Sequence, residues 1–147
     1  MQTPLVSLIV PCYNIGEKCK VFFDSLLQQT YTHIQLILVN DGSKDNTEEI
    51  LQAHRTEFEA KGFTCEVYSK PNGGVCTAMN EGLKHVRGEL LCWIDPDDGF
   101  VSEYFERRVN YMLEHPDCRI LICDGCELRP GSEDRSQKFS RFFKHTP

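Results

Sequence analysis

IQLILVNDGSKDNTEEILQAHRTEFEAKG, residues 34–62, is the stretch that decides the fold. Residues 34–40 form a short, almost unbroken apolar run, as expected of a strand buried on both faces. Asp41-Gly42-Ser43 ends that run with a turn signal. Asp45 or Asn46 can cap a helix whose first turn carries Glu48 and Glu49, where the helix dipole favours negative charge. Gly62 can stop that helix after Lys61. A buried strand that feeds through a short turn into a helix is the repeating unit of a parallel α/β sheet.

The same unit recurs on both sides. Upstream, Leu5–Cys12 (LVSLIVPC) reads as a buried strand, and residues 17–29 carry a helical apolar stripe at positions 21, 22, 23, 26 and 27. Downstream, Thr64–Ser69 is a third strand and Pro71-Asn72-Gly73-Gly74 a loop. Val75–Val86 is a helix ending near Gly88, and Leu90–Ile94 is a fourth strand running into Asp95-Pro96-Asp97-Asp98-Gly99. Ser102 caps a helix through Glu114, and Arg119–Cys123 is a fifth strand. The expected class is α/β: a Rossmann-like, mostly parallel sheet with helices on both faces, in three α/β/α layers. Ligands of such sheets bind beyond the carboxyl ends of the strands. Residues 11–14, 41–43, 70–74 and 95–98 all follow strands, so they should gather at one edge.

The 147 residues predict one domain, expected over residues 1–128. From Arg129 the chain turns polar and aperiodic, so residues 129–147 read as a linker opening onto a further element, with Phe139, Phe142 and Phe143 as its apolar start. A net charge of −6 argues against nucleic-acid binding, which needs a basic face. A bound nucleotide is still allowed, because a metal can supply the local positive charge. No apolar run approaches a membrane span, and the N-terminus lacks a signal-peptide pattern. The expected location is the cytoplasm, at the inner face of a membrane if an absent segment anchors the chain. Most of the eight cysteines fall in apolar runs, where cysteine behaves as a small buried hydrophobe. The His115, Cys118, Cys123, Cys126 spacing is not a standard zinc pattern. His54 and His85 fall on predicted helices and are expected to be exposed, with no role.

The chemistry sits at the strand exits. Asp95, Asp97 and Asp98 repel one another, and a shared cation would relieve that repulsion. Their hard oxygens suit Mg²⁺ or Mn²⁺, which could grip a diphosphate; the bland alternative is a turn with capping acids. Asp41 could accept hydrogen bonds from a base or ribose, or simply lead into a helix cap. Tyr13 could stack on a base and Asn14 bond it. Free amides near Gly74 could face phosphate, with Lys70 adding charge; a lone lysine is more often a solvated surface residue. There is no Walker ending and no Gly-x-Gly-x-x-Gly after the first strand.

Together and in this order, VSLIVPCYN (6–14), DSLLQQTY (24–31), LILVNDGSKDNT (36–47), KPNGGVCTAMNEGL (70–83) and RGELLCWIDPDDGF (87–100) resemble the family 2 glycosyltransferases. That resemblance implies the GT-A fold and the nucleotide-sugar half of an inverting, metal-dependent transferase. It implies a nucleoside-diphosphate sugar, most often a UDP-sugar, as donor and a glycan or lipid-linked acceptor. Pro11, Tyr13 and Asn14 would line the nucleoside pocket, and Asp41 would bond the base. Asp95 would reach the ribose or sugar, while Asp97 or Asp98 holds the metal. Asn72, Gly74 and Asn80 would shape the loop over the diphosphate and the helix behind it.

Three departures stand out. Met79 replaces an arginine frequent in the family, and Cys76 a small hydroxyl residue. The family's general base is expected beyond Pro147. A nucleotidyltransferase would need a Gly-rich basic loop after the first strand, which PCYNIGEK (11–18) is not. A non-catalytic binding or docking module that keeps the fold is the remaining alternative.

Overall fold

All four strands run parallel, in the order β3-β2-β1-β4, in a computed structural model that describes residues 3–122. The strands are β1 (Val6–Cys12), β2 (Ile34–Asn40), β3 (Thr64–Ser69) and β4 (Leu90–Trp93). A 3₁₀ turn, Gly16–Cys19, leads into α1 (Lys20–Leu27), so the first helix starts three residues later than its apolar stripe suggests. The other helices are α2 (Thr47–Lys61), α3 (Val75–Leu83) and α4 (Tyr104–Glu114).

The two-residue period of a strand sorts the core into two layers. Leu8, Val10, Leu36 and Leu38 face a large cluster with Phe22, Phe23 and Leu26 of α1 and Leu51 and Phe58 of α2. Ile9, Ile37 and Val39 face the other way, onto Ala78 of α3. Gly82 of α3 is needed for that contact, since a Cβ there would stand 2.5 Å from Ile9 Cγ2. This is the expected three-layer α/β/α sandwich. β1 and β2 are buried on both faces along almost their whole length, which is why their sequences look uniformly apolar.

Local chemistry explains the boundaries. Gly62 closes α2 in the left-handed region, φ +103°, where a side chain would be strained. At the other end Asp45, not Asn46, does the capping: its Oδ1 accepts the Thr47 amide at 3.0 Å. Ser102 does not cap α4. Its hydroxyl donates to Glu103 Oε2, and the buried Gln29 reaches across from the end of α1 to accept the Phe105 amide instead.

The fifth strand is absent among the described residues. Residues 119–122 carry no strand, and Ile120 and Ile122 are 79% and 77% exposed. An apolar tetrapeptide supplies the side chains of a strand, but a strand also needs a neighbour to complete its ladder. Cys123 and Cys126 of the weighed zinc pattern lie outside the described residues, as does the whole of 129–147. Residues 3–110 form one compact unit, and the described residues from Tyr111 belong to another. His54 and His85 are half-buried, not exposed. His54 packs against Phe23 in a tilted pair with centroids 4.7 Å apart, and His85, past the end of α3, stacks on Tyr68 at 3.6 Å.

Candidate functional site

The strand order places the topological switch at β1. The chain moves outward from β1 to β2 to β3, then returns to pair β4 on the other side of β1. In open α/β sheets ligands bind at such a switch, beyond the carboxyl ends of the strands. A polar cleft of about 310 Å³ lies there. Pro11, Tyr13, Asn14 and Ile15 line it from the β1 exit, and Asp95, Pro96 and Asp97 from the β4 exit. Lys18, from the 3₁₀ turn, completes the wall.

The β1 exit is held by its neighbour. Asn14 adopts φ +49° and is pinned at both ends: its amide donates to Ser43 Oγ at 3.0 Å, and its Oδ1 accepts the Lys44 amide at 2.8 Å. Thr47 Oγ1 accepts the amides of Ile15, at 3.0 Å, and Gly16, at 3.4 Å. With Asn14 fixed in this way, Tyr13 lines the cleft and is 46% exposed, an aromatic side chain open to a ligand.

Asp41 takes a different course. It is buried at 2% exposure, and its carboxylate organises the 70–74 loop. Lys70 Nζ donates to Oδ1 at 2.5 Å, the Gly74 amide to Oδ2 at 2.7 Å, the Gly73 amide to both oxygens, and Asn72 Nδ2 to Oδ2 at 3.2 Å. Burial pushes the Asp41 carboxyl up, but the Lys70 ammonium and the glycine amides outweigh it and hold the group below the usual carboxylate range. Lys70 is equally committed: its other two donors go to Pro71 O at 2.6 Å and Thr77 Oγ1 at 2.8 Å. An ammonium has three donors, so none is left over. Gly42, at φ +67°, lets the loop close, because a Cβ there would meet Asn72 N at 2.5 Å.

At the β4 exit the acids stay open. Asp95, Asp97 and Asp98 are all exposed, and none forms an ion pair among the described residues. The Asp98 carboxyl is pushed up by burial and by the neighbouring Asp97 and Asp95. Asp95 and Asp97 line the cleft, while Asp98 does not. Among the described residues, no three His, Cys, Asp or Glu side chains converge as a ready metal cage. The donor set still fits a hard divalent cation, because Mg²⁺-type ions are commonly held by one or two carboxylates plus ligand phosphates and water.

The expected site residues thus divide. Pro11, Tyr13, Asn14, Asp95 and Asp97 share the cleft. Asp41, Lys70, Asn72 and Gly74 form the adjoining loop cluster. Asn80 lies on α3 beside Met79, lining an apolar groove of about 400 Å³ with Leu91 and Trp93 of β4. Three participants escaped the sequence reading. Ser43 and Thr47 receive the β1-exit amides, and Lys18 lines the cleft. The first two carry hydroxyls, Ser43 in the turn after β2 and Thr47 at the start of α2, the one available hint. Burial pushes the Cys65 thiol up to about 12 and raises that of Cys12, so both stay protonated. No helix among the described residues is long and apolar enough to cross a membrane.

The geometry can be set beside known proteins. The sequence profile of Glycosyl transferase family 2 matches residues 7–146. An uncharacterized glycosyltransferase of Rickettsia typhi is 36% identical over 126 residues, 86% of this chain but only 37% of the relative. The crystal structure of S. aureus TarS 1-349 in complex with UDP-GlcNAc superposes with a TM-score of 0.69 and 28% identity, over 76% of this chain and 32% of that one. Mannosyltransferase PcManGT from Pyrobaculum calidifontis, solved in complex with GDP-Man and Mn²⁺, shares the fold at a TM-score of 0.67 and 21% identity, over 88% of this chain and 37% of that one. The chain spans little more than a third of the Rickettsia relative. A parallel α/β sheet with its cleft at the β1/β4 switch, together with a profile match over nearly the whole length, makes this chain a member of glycosyl transferase family 2 with the GT-A fold.

Proposed function

We propose that residues 1–128 bind the donor of a glycosyl transfer, a nucleoside-diphosphate sugar and first of all a UDP-sugar. The observation that carries this reading is one cleft lined by both the Tyr13 ring and the Asp95 and Asp97 carboxylates. An aromatic face suits a nucleobase. Two unpaired carboxylates beside it suit the cation that accompanies a diphosphate. The TarS structure in complex with UDP-GlcNAc favours the same ligand class.

Pro11, Tyr13 and Asn14 would hold the nucleoside, Asp95 the ribose or sugar, and Asp97 the metal, with Asp98 as a further candidate ligand. Bound Mn²⁺ or Mg²⁺ supplies charge neutralisation for a departing diphosphate. Asp41 would read the base only by exchange, because its oxygens already accept four donor groups. A uracil imide N–H can replace one of these one for one. If Lys70 is the group that yields, its ammonium is freed beside the diphosphate. Asn72, Gly74 and Asn80 would then frame the loop and the helix behind it. The whole protein would transfer the sugar by a single inverting displacement to a glycan or lipid-linked acceptor, working in the cytoplasm or at the inner face of a membrane.

Titration calorimetry of the 147-residue chain with UDP, with and without Mn²⁺, tests the core of this. Binding that needs the metal is expected. Equal affinity without metal, or no binding of any nucleoside diphosphate, would refute it. If Mn²⁺-dependent UDP binding persists but the whole protein transfers no sugar to any glycan or lipid acceptor, the non-catalytic binding module takes its place.

A further inference from the structure

The cleft has two acids and a single cation among its lining residues, and opposite charges so close would ordinarily pair. They do not: the Lys18 ammonium makes no ion pair or hydrogen bond with another described residue. Its backbone is not free to drift. The Lys18 amide donates to Ile15 O at 2.9 Å, Ile15 and Cys19 are buried on either side, and Thr47 Oγ1 ties down the amides of Ile15 and Gly16. The turn therefore carries a positive charge on one wall while Asp95 and Asp97 carry negative charge on another, across about 310 Å³.

The other cationic candidate for this region is spent. Lys70 has all three donors engaged, by Asp41, Pro71 and Thr77. Position 79 holds a methionine, which lines the apolar groove with Trp93 and Leu91. Together with the Asp95 and Asp97 carboxylates, the two negative charges of a nucleotide sugar's diphosphate outnumber those of one divalent metal ion, and in the resting structure Lys18 is the available counter-charge among the lining residues.

We propose that Lys18 is a donor-binding residue whose ammonium contacts the diphosphate of the nucleotide sugar. The proposal rests on the donor-binding reading above. Lys18 and the two carboxylates form a bipolar cleft: the acids take the cation and Lys18 the phosphate oxygens, so a metal-complexed diphosphate bridges charges that the fold keeps apart. A simple nucleoside lacks the group that Lys18 meets, and this separates the residue's role from that of Tyr13.

The experiment is a calorimetric comparison of UDP and uridine, both with Mn²⁺, on the wild-type chain, Lys18→Met and Lys18→Arg. A charge-assisted hydrogen bond is worth about 1.5–3 kcal/mol, or roughly ten- to hundredfold in affinity. Lys18→Met is expected to lose about tenfold or more for UDP while keeping wild-type affinity for uridine, which also reports that the turn is intact. Lys18→Arg is expected to retain most of the UDP affinity. Unchanged UDP binding in Lys18→Met, or equal losses for UDP and uridine, would overturn the assignment and leave donor binding standing. A wild-type chain that binds neither ligand would overturn both.

Discussion

Two strand exits end in aspartate and treat it in opposite ways. At the end of β2, Asp41 is buried and accepts hydrogen bonds from Lys70, Asn72, Gly73 and Gly74. At the end of β4, Asp95 and Asp97 are exposed and form no ion pair among the described residues. The difference comes from position in the sheet. β2 is flanked on both sides, and its in-register pairing of Asn40 with Ser69 sets Asp41 next to Lys70. β4 is paired on one side, to β1, and nothing closes over its exit among the described residues. An acid with neighbours becomes the counter-ion that builds a loop, whereas an acid at an open edge is left for a ligand.

The largest expected effect breaks the buried side of this comparison. Asp41→Ala leaves the Lys70 ammonium and two loop amides without their acceptor, and removing one partner of a buried pair costs about 3–5 kcal/mol. Urea unfolding should show that loss, while Asp97→Ala should stay within about 0.5 kcal/mol of wild type. Equal stabilities for the two variants would erase the distinction. The pH dependence carries the same contrast. Asp41 has a lower pKa folded than unfolded, so the unfolded chain binds more protons and stability rises with pH. Its contribution is complete above the unfolded value near 3.9 and drains away as pH falls through the folded one. Below about pH 4 the unfolding free energy should therefore fall more steeply with decreasing pH for wild type than for Asp41→Asn.

Next in size is Gly42→Ala. It combines a positive φ with a Cβ 2.5 Å from the Asn72 nitrogen, and a strained backbone position alone costs about 1–3 kcal/mol. Gly74→Ala, at φ +86° with open space around it, should show the strain without the clash and lose less in the same unfolding assay. On the open side, Asp97→Ala should weaken Mn²⁺-dependent UDP binding about tenfold or more, since charged hydrogen bonds and metal contacts of this kind exceed about 1.4 kcal/mol. The smallest effect is expected for Asp98→Asn, which does not line the cleft: UDP affinity within about twofold by calorimetry, under 0.5 kcal/mol. A loss as large as that of Asp97→Ala would make Asp98 the principal ligand.

Much of this molecule was legible before its structure. β3 was read residue for residue, α2 ended where Gly62 said it should, and the strand-helix alternation gave the parallel sheet. Each depends on local chemistry: a left-handed glycine, a turn residue, an apolar period. The Asp41–Lys70 pair was not legible, because it depends on the register of β2 against β3. The β2 run is buried on both faces and looks much the same when slipped by two residues. The apolar run at 119–122 misled for a related reason: pattern records what a strand needs, not whether a partner is present.

The sequence by itself determined which residues form the elements, their order, and that aspartates, an aromatic and a glycine loop would meet at the strands' carboxyl ends. Those properties follow from side-chain period and turn chemistry, which act over a few residues. Only the tertiary structure decided which aspartate is buried and which is open, that Lys70 is spent and Lys18 free, and that the cleft lies between β1 and β4. Burial and pairing are properties of neighbours brought together from far along the chain, and the free energy of a charge is set by those neighbours.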